Sequence, residues 1–280
     1  MCRHFFIFDH LLSKKEMKLI LSKRTNQKKY TPLLHNPRDD GPHNDGVGIA
    51  HLLKNENENQ KKNECWKIQK WTDVSNSTIY ENMDELQKSN IIIIHLRHKC
   101  HLGSKCKIST GENLLENTHP FSYRNIVFTH NGSIYDFHKY KDYLRIYIAD
   151  DLYKHIKGDT DSEWLFYIIL TRYYLIENQT PRNFQTMLEE ILIDLQLICP
   201  EFTMNIIFST PEFSVITRYI YYKKNRYTKK QYANSLYYDT SHGFMVTSEP
   251  MTKNYKLVPE NTAIYVDHIT KQSFLQSILS

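Results

Sequence analysis

Apolar residues near the start of the chain come in short, dense runs. Residues 4–8 read as a strand, and residues 16–21 behind them carry apolar positions at helical spacing. The string Asp45-Gly46-Val47-Gly48-Ile49-Ala50 opens with turn chemistry and passes into an apolar strand. Residues 54–64 are polar throughout and predict a solvated hairpin tip. The run Ile91-Ile92-Ile93-Ile94-His95-Leu96 is the strongest strand signal in the sequence, and residues 126–128 predict a shorter one. Beyond Asp159-Thr160-Asp161-Ser162-Glu163, residues 164–175 are apolar at helical spacing, with Thr160 or Asp161 available as the cap. Pro181 suits the start of a second helix reaching about residue 197. Residues 202–208, 213–222, 243–247 and 263–267 then read as strands, with a basic loop over 223–230. Strands, two helices and strands again, without a linker or a repeat, predict one α+β domain over residues 1–280 built on layered sheets.

Composition narrows the function classes. The chain has 280 residues, 40% hydrophobic and 24% charged, as a soluble globular protein does. A formal charge of +5 is too mild to point to nucleic acid, which calls for a dense basic face with stacking aromatics. The longest aliphatic run is interrupted by His95 and Arg97 and is far too short to span a bilayer. Five cysteines, odd in number and widely spaced with no signal peptide, suggest a reduced cytoplasmic chain rather than a disulfide framework.

Four short strings carry chemistry. Cys2 follows the initiator methionine, where many proteins carry a small residue for no chemical reason; trimming of Met1 would put a thiol and an α-amine on one carbon, a nucleophile with its own base. Arg97 ends the aliphatic strand, where a guanidinium can grip a carboxylate at two points or form a structural ion pair. In Thr129-His130-Asn131-Gly132-Ser133, an Asn amide beside a Gly N–H can aim two donors at an oxyanion, or simply make an Asn-Gly hairpin turn. In Thr160-Asp161-Ser162-Glu163 a carboxylate can hold a substrate ammonium or cap a helix.

Together these are the parts needed to bind an α-amino acid and attack its side-chain amide. The chain resembles the class II (N-terminal nucleophile) glutamine amidotransferases, most closely the stand-alone YafJ-like branch. The matching strings are Met1-Cys2-Arg3, Gly41-Pro42-His43-Asn44-Asp45-Gly46-Val47-Gly48-Ile49, His95-Leu96-Arg97, Glu116-Asn117-Thr118-His119-Pro120-Phe121, His130-Asn131-Gly132, Thr160-Asp161-Ser162-Glu163 and Ser248-Glu249-Pro250-Met251-Thr252. The resemblance implies an Ntn-hydrolase αββα sandwich of two antiparallel sheets. It implies that Cys2 attacks the γ-carbonyl of glutamine to form a thioester and release ammonia, with its own amine moving the proton. Asn131 and Gly132 would form the oxyanion hole, Arg97 would hold the α-carboxylate and Asp161 the α-ammonium, with His119, Asp45 and Gly46 shaping the site. No metal and no cofactor are implied. Partners would be the small-molecule substrate and a separate acceptor or synthase subunit, with no nucleic acid and no membrane.

The chain departs from the family in two places. Val47 stands where the family often has an aromatic, which is expected to widen the pocket wall. The stretch between Arg97 and Asn117 is longer than usual and carries Cys100, His101 and Cys106. With His95 and His98 these fit no standard zinc spacing. A Ser-His-Asp hydrolase is disfavoured because the sequence has no G-x-S-x-G elbow. Two alternatives stay open: a γ-glutamyl peptide such as glutathione as substrate, and a non-catalytic regulatory or binding subunit that keeps the fold.

Overall fold

The computed structural model describes residues 2–21, 45–53, 65–72, 83–97, 115–223 and 234–279. The chain forms two compact units. The first comprises residues 1–99, 118–129 and 235–258, and the second residues 100–117, 130–234 and 259–280.

The first unit is organised on strands β1 (Arg3–Phe8), β2 (Val47–Leu53), β3 (Cys65–Trp71), β4 (Ile91–Leu96), β10 (Tyr237–Asp239), β11 (Phe244–Thr247) and β12 (Lys256–Leu257). They form one antiparallel sheet in the order β12-β10-β11-β1-β4-β2-β3. The isoleucine run lies on β4, between β1 and β2, and all six residues of that strand are buried. Complete burial explains why its sequence does not alternate. One face of this sheet carries Phe5, Ile7, Val47, Ile49, Ile92, Ile94 and Leu96. These pack with Met17 and Ile20 of helix α1 (Lys14–Ile20) and with Leu86 of the short helix α2 (Met83–Leu86). Ser13 and Glu16 close the α1 N-terminus as a reciprocal capping box. Burial works to raise the Glu16 pKa, but the Ser13 hydrogen bonds and His10 outweigh it and hold the carboxyl below its ordinary value.

A second sheet runs β14-β13-β8-β7-β6-β5, with β9 also pairing β7. Its strands are β5 (Phe121–Tyr123), β6 (Ile126–Ile134), β7 (Glu201–Ser209), β8 (Phe213–Arg218), β9 (Ile220–Tyr222), β13 (Thr262–Asp267) and β14 (Ser273–Ser277). The boundary between the two units falls within β6, after Thr129. The second unit holds helices α3 (Phe137–Leu144), α4 (Asp150–Tyr153), α5 (Asp161–Tyr173) and α6 (Pro181–Ile198). Both long helices carry a threonine N-cap, Thr160 and Thr180, and Pro181 sits in the first turn of α6, where its missing N–H costs nothing. An aromatic cluster joins α5 and α6 to the strands. The Phe184 ring lies 4.6 Å from Phe208 and 5.9 Å from Phe213, and Tyr173 lies 5.1 Å from Phe208. Aromatic pairs in this range add about 0.5–1.5 kcal/mol each beyond the area they bury.

The α+β class with two antiparallel sheets is as expected, and several local readings change. The cap of α5 is Thr160, and Asp161 is its first helical residue. The expected strand at 213–222 is split at Tyr219, whose carbonyl accepts from Met204 N–H at 2.9 Å. The strand expected at 126–128 runs on to Ile134, so Asn131-Gly132 is extended backbone and not a hairpin turn. The expected polar hairpin tip at 54–64 lies outside the described residues, as does the basic loop from 224 onward.

Candidate active site

In the first unit, β1 and β4 pair with Arg3 opposite Leu96 and His4 opposite His95. Extending that register by one residue sets Cys2 opposite Arg97. Side chains alternate along strands, so Cys2, His4, His95 and Arg97 share the face opposite the one covered by α1. Cys2 is a half-buried thiol. Arg97 N–H donates to Gly46 O at 2.8 Å, which continues the β2–β4 ladder and brings Asp45-Gly46 to the same strand end. Its guanidinium is buried, and Nη1 has no hydrogen-bond partner among the described residues. A buried cationic donor of this kind is costly to leave without a partner.

His119 is buried on the same side of the sheet. Its ring centroid lies 4.1 Å from that of His95 and 4.5 Å from that of Phe121. The His119 carbonyl presses so closely on Gly48 that any β-carbon there would overlap it. Gly48 is therefore required by close approach, and it lets the His119-Pro120 corner sit on β2. Val47 does not fit the expected role. It is fully buried in the apolar cluster beneath α1, because strand alternation turns it away from the Arg97 face, so it is a core residue rather than a wall of the site.

The start of β1 is held by residues that sequence reasoning left without a role. His4 N–H donates to Ser248 Oγ and Ser248 N–H donates to His4 O, both at 3.0 Å. Arg3 Nε lies 3.0 Å from Glu249 Oε1, and the Arg3 side chain is almost fully buried. The Ser248-Glu249 pair was visible as a motif, but a hydrogen-bonding span of 244 residues leaves no local signal.

In the second unit, Asn131 and Gly132 lie on β6. A β-carbon on Gly132 would overlap the Thr203 carbonyl and the His130 ring. His130 Nε2 is 2.9 Å from Thr203 O, and a carbonyl only accepts, so Nε2 carries the proton. The Ser162 hydroxyl then donates to His130 Nδ1 at 2.9 Å, in preference to Asp161 Oδ1, which lies 3.4 Å from the same hydroxyl. Burial pushes the His130 pKa down, against the pull of Asp161 and the Thr203 carbonyl, so the ring is neutral. Asp161 Oδ2 accepts from Ile134 N–H at 2.7 Å, tying the start of α5 to β6. A carboxylate offers about four lone-pair sites, so capacity remains for an ammonium. Upstream, Glu163 accepts from Lys157 and Gly158 N–H, and Asn117 and Asp159 exchange two hydrogen bonds, bracing the loop that leads to Asp161.

Cys2, Arg97 and His119 thus belong to the first unit, and Asn131, Gly132 and Asp161 to the second. Among the described residues no group of three or more His, Cys, Asp or Glu is placed to hold a metal ion. Cys100, His101 and Cys106 lie outside the described residues. No helix among the described residues is long and apolar enough to cross a membrane.

The chain is similar to known proteins in both sequence and fold. The yeast "probable glutamine amidotransferase DUG3" (Saccharomyces cerevisiae) is 35% identical over 101 residues, a stretch that is 36% of this chain and 24% of the yeast protein. The chain thus spans about a quarter of the curated relative it matches. A glutamine amidotransferase class-II domain protein from Silicibacter pomeroyi superposes with a TM-score of 0.58 at 17% identity, over 99% of this chain and 98% of that one. The glutamine phosphoribosylpyrophosphate amidotransferase of B. subtilis superposes with a TM-score of 0.55 at 11% identity, over 99% of this chain and 49% of that one. These likenesses show the fold, that of the Ntn-hydrolase-type glutamine amidotransferases. The profile of the family "Glutamine amidotransferases class-II" matches residues 28–218, and the chain belongs to that family.

Proposed function

We propose that the chain hydrolyses the γ-glutamyl amide of glutamine, with Cys2 as an N-terminal nucleophile exposed by removal of Met1. The Cys2 thiol attacks the γ-carbonyl while the α-amine takes the thiol proton and passes it to the departing ammonia. Asn131 and the Gly132 N–H stabilise the tetrahedral oxyanion, and water then cleaves the thioester through the same groups. Arg97 binds the α-carboxylate and Asp161 the α-ammonium, with His119 fixing the shape around them. The observation that carries the reading is the buried Arg97 Nη1, unpartnered among the described residues, at the strand end where Cys2 leads into β1. We further propose that residues 1–280 act as one catalytic domain in the cytoplasm, releasing ammonia to solvent or to a separate acceptor subunit.

The test is ammonia release from glutamine by purified protein, with the N-terminus read by mass spectrometry. The processed protein should turn over and Cys2→Ala should fall to background. Retained activity in Cys2→Ala, or in protein that keeps Met1, overturns the mechanism. A preference in kcat/KM for a γ-glutamyl dipeptide over glutamine would keep the mechanism and change the substrate.

A further inference from the structure

Asn234 lies about a hundred residues from the Asn131-Gly132 pair in sequence, and its side chain reaches it. Its Nδ2 donates to the Asn131 carbonyl at 3.1 Å. The acceptor is a carbonyl, so the nitrogen of the amide must face it. Asn234 is itself held from behind, since its main-chain carbonyl accepts from Asn205 Nδ2 and Arg218 Nε, each at 3.0 Å. Asn205 and Arg218 are buried on β7 and β8, so the anchor is part of the sheet.

The Asn131 carbonyl and the Gly132 N–H are the two ends of one planar peptide unit and point in opposite directions. On the β7 side of β6, Tyr135 N–H reaches Glu201 O at 3.2 Å and Ser133 N–H reaches Thr203 Oγ1 at 3.1 Å. Strand alternation therefore turns the alternate N–H groups, those of Gly132 and Ile134, to the other edge, where Ile134 N–H meets Asp161 Oδ2. A hydrogen bond given to the Asn131 carbonyl fixes the tilt of this peptide and also draws electron density toward its oxygen. Both effects strengthen Gly132 N–H as a donor, because chained hydrogen bonds polarise one another.

We propose that Asn234 is a positioning residue for the oxyanion donor, orienting and polarising the Asn131-Gly132 peptide through the Asn131 carbonyl. This rests on the amide-cleaving function proposed above. Asn234 touches no reacting atom, and its contribution appears only where charge develops on the substrate oxygen, in the transition state.

Asn234→Ala removes the donor and leaves its anchoring main-chain carbonyl in place, while Asn234→Asp sets an acceptor against an acceptor. In steady-state kinetics on glutamine, kcat should fall ~10–100-fold for Asn234→Ala and further for Asn234→Asp, with KM within about twofold of wild type. A second measurement needs no turnover. Asn131-Gly132 is the only Asn-Gly pair in the sequence, so labelling with 13C′-asparagine and 15N-glycine isolates the Gly132 amide in an NMR spectrum. Its proton resonance should move upfield in Asn234→Ala, with an unchanged thermal midpoint showing that the fold is intact. An unmoved Gly132 resonance overturns the proposal, as does unchanged kcat in a series whose wild type is active. A wild type that cleaves no γ-glutamyl amide removes the proposed function instead, and the Gly132 resonance still decides whether Asn234 holds the peptide.

Discussion

On the proposed function, Arg97 sets function against stability within one side chain. Its buried Nη1, without a partner among the described residues, costs the ligand-free protein solvation that nothing there returns. Replacing it with methionine, of similar length and no charge, should raise the urea midpoint, worth about 1–2 kcal/mol, while abolishing saturation by glutamine. A midpoint that drops with Arg97→Met would mean that the guanidinium is a structural member of the fold. The residue type and its place at a strand end were legible in the sequence. That Nη1 would find no partner among the described residues was not, since pairing depends on side chains tens of residues away. The same holds for His130, whose tautomer is set by Thr203 and Ser162, 73 and 32 residues distant.

Among the elements, the β8–β13 pair contains a built-in acid sensitivity. His268 follows β13, with Nδ1 donating to Pro211 O at 3.0 Å and, in the neutral ring, Nε2 accepting from Ser214 Oγ at 2.9 Å. Burial pushes its pKa down to about 4, against the pull of the Pro211 carbonyl and Asp267. An unfolded histidine titrates near ~6.5, so between these values the unfolded chain binds a proton that the folded chain refuses. Stability is then complete above ~6.5 and falls as pH drops toward 4. Between pH 7.5 and 5, His268→Asn should lose about 2 kcal/mol less unfolding free energy than wild type in urea titrations. Equal losses would show that the ring carries no such penalty. His51 and His130 are shifted in the same direction by burial, so the comparison between variants isolates His268. Legibility at this scale followed local chemistry. Helix α6 was readable from Pro181 and its apolar spacing, and β4 from its isoleucines. Strand β6 was read short because Asn-Gly favours turns in isolation, whereas pairing with β7 keeps it extended. Strand β3 escaped because Cys65-Trp66-Lys67-Ile68-Gln69-Lys70-Trp71 is polar and only partly buried.

For the molecule as a whole, the chain crosses between the two units repeatedly, and neither unit is a continuous stretch of sequence. Strand β1 is hydrogen-bonded to β4 on one side and to β11 on the other, with Phe5 opposite both Ile94 and Thr247. A fragment ending at Thr129 would keep the first ladder and lose the second, leaving the apolar strand Phe5-Phe6-Ile7-Phe8 as an open edge. Expressed alone, residues 1–129 should aggregate or show no cooperative urea transition. A soluble fragment with a sharp transition would mean that the first unit needs no late strands.

That topology also imposes a schedule. β11 begins some 240 residues after β1, and at roughly 5–20 residues per second it leaves the ribosome tens of seconds later. Until then β1 has one unpaired flank, and the Ser248-Glu249 corner that seals Arg3 and His4 does not yet exist. On the proposed function, an aminopeptidase acting during synthesis therefore meets a β1 with one open flank, and one acting later meets the strand paired on both sides. Maturation of the nucleophile is then timed against the arrival of the chain's own last quarter.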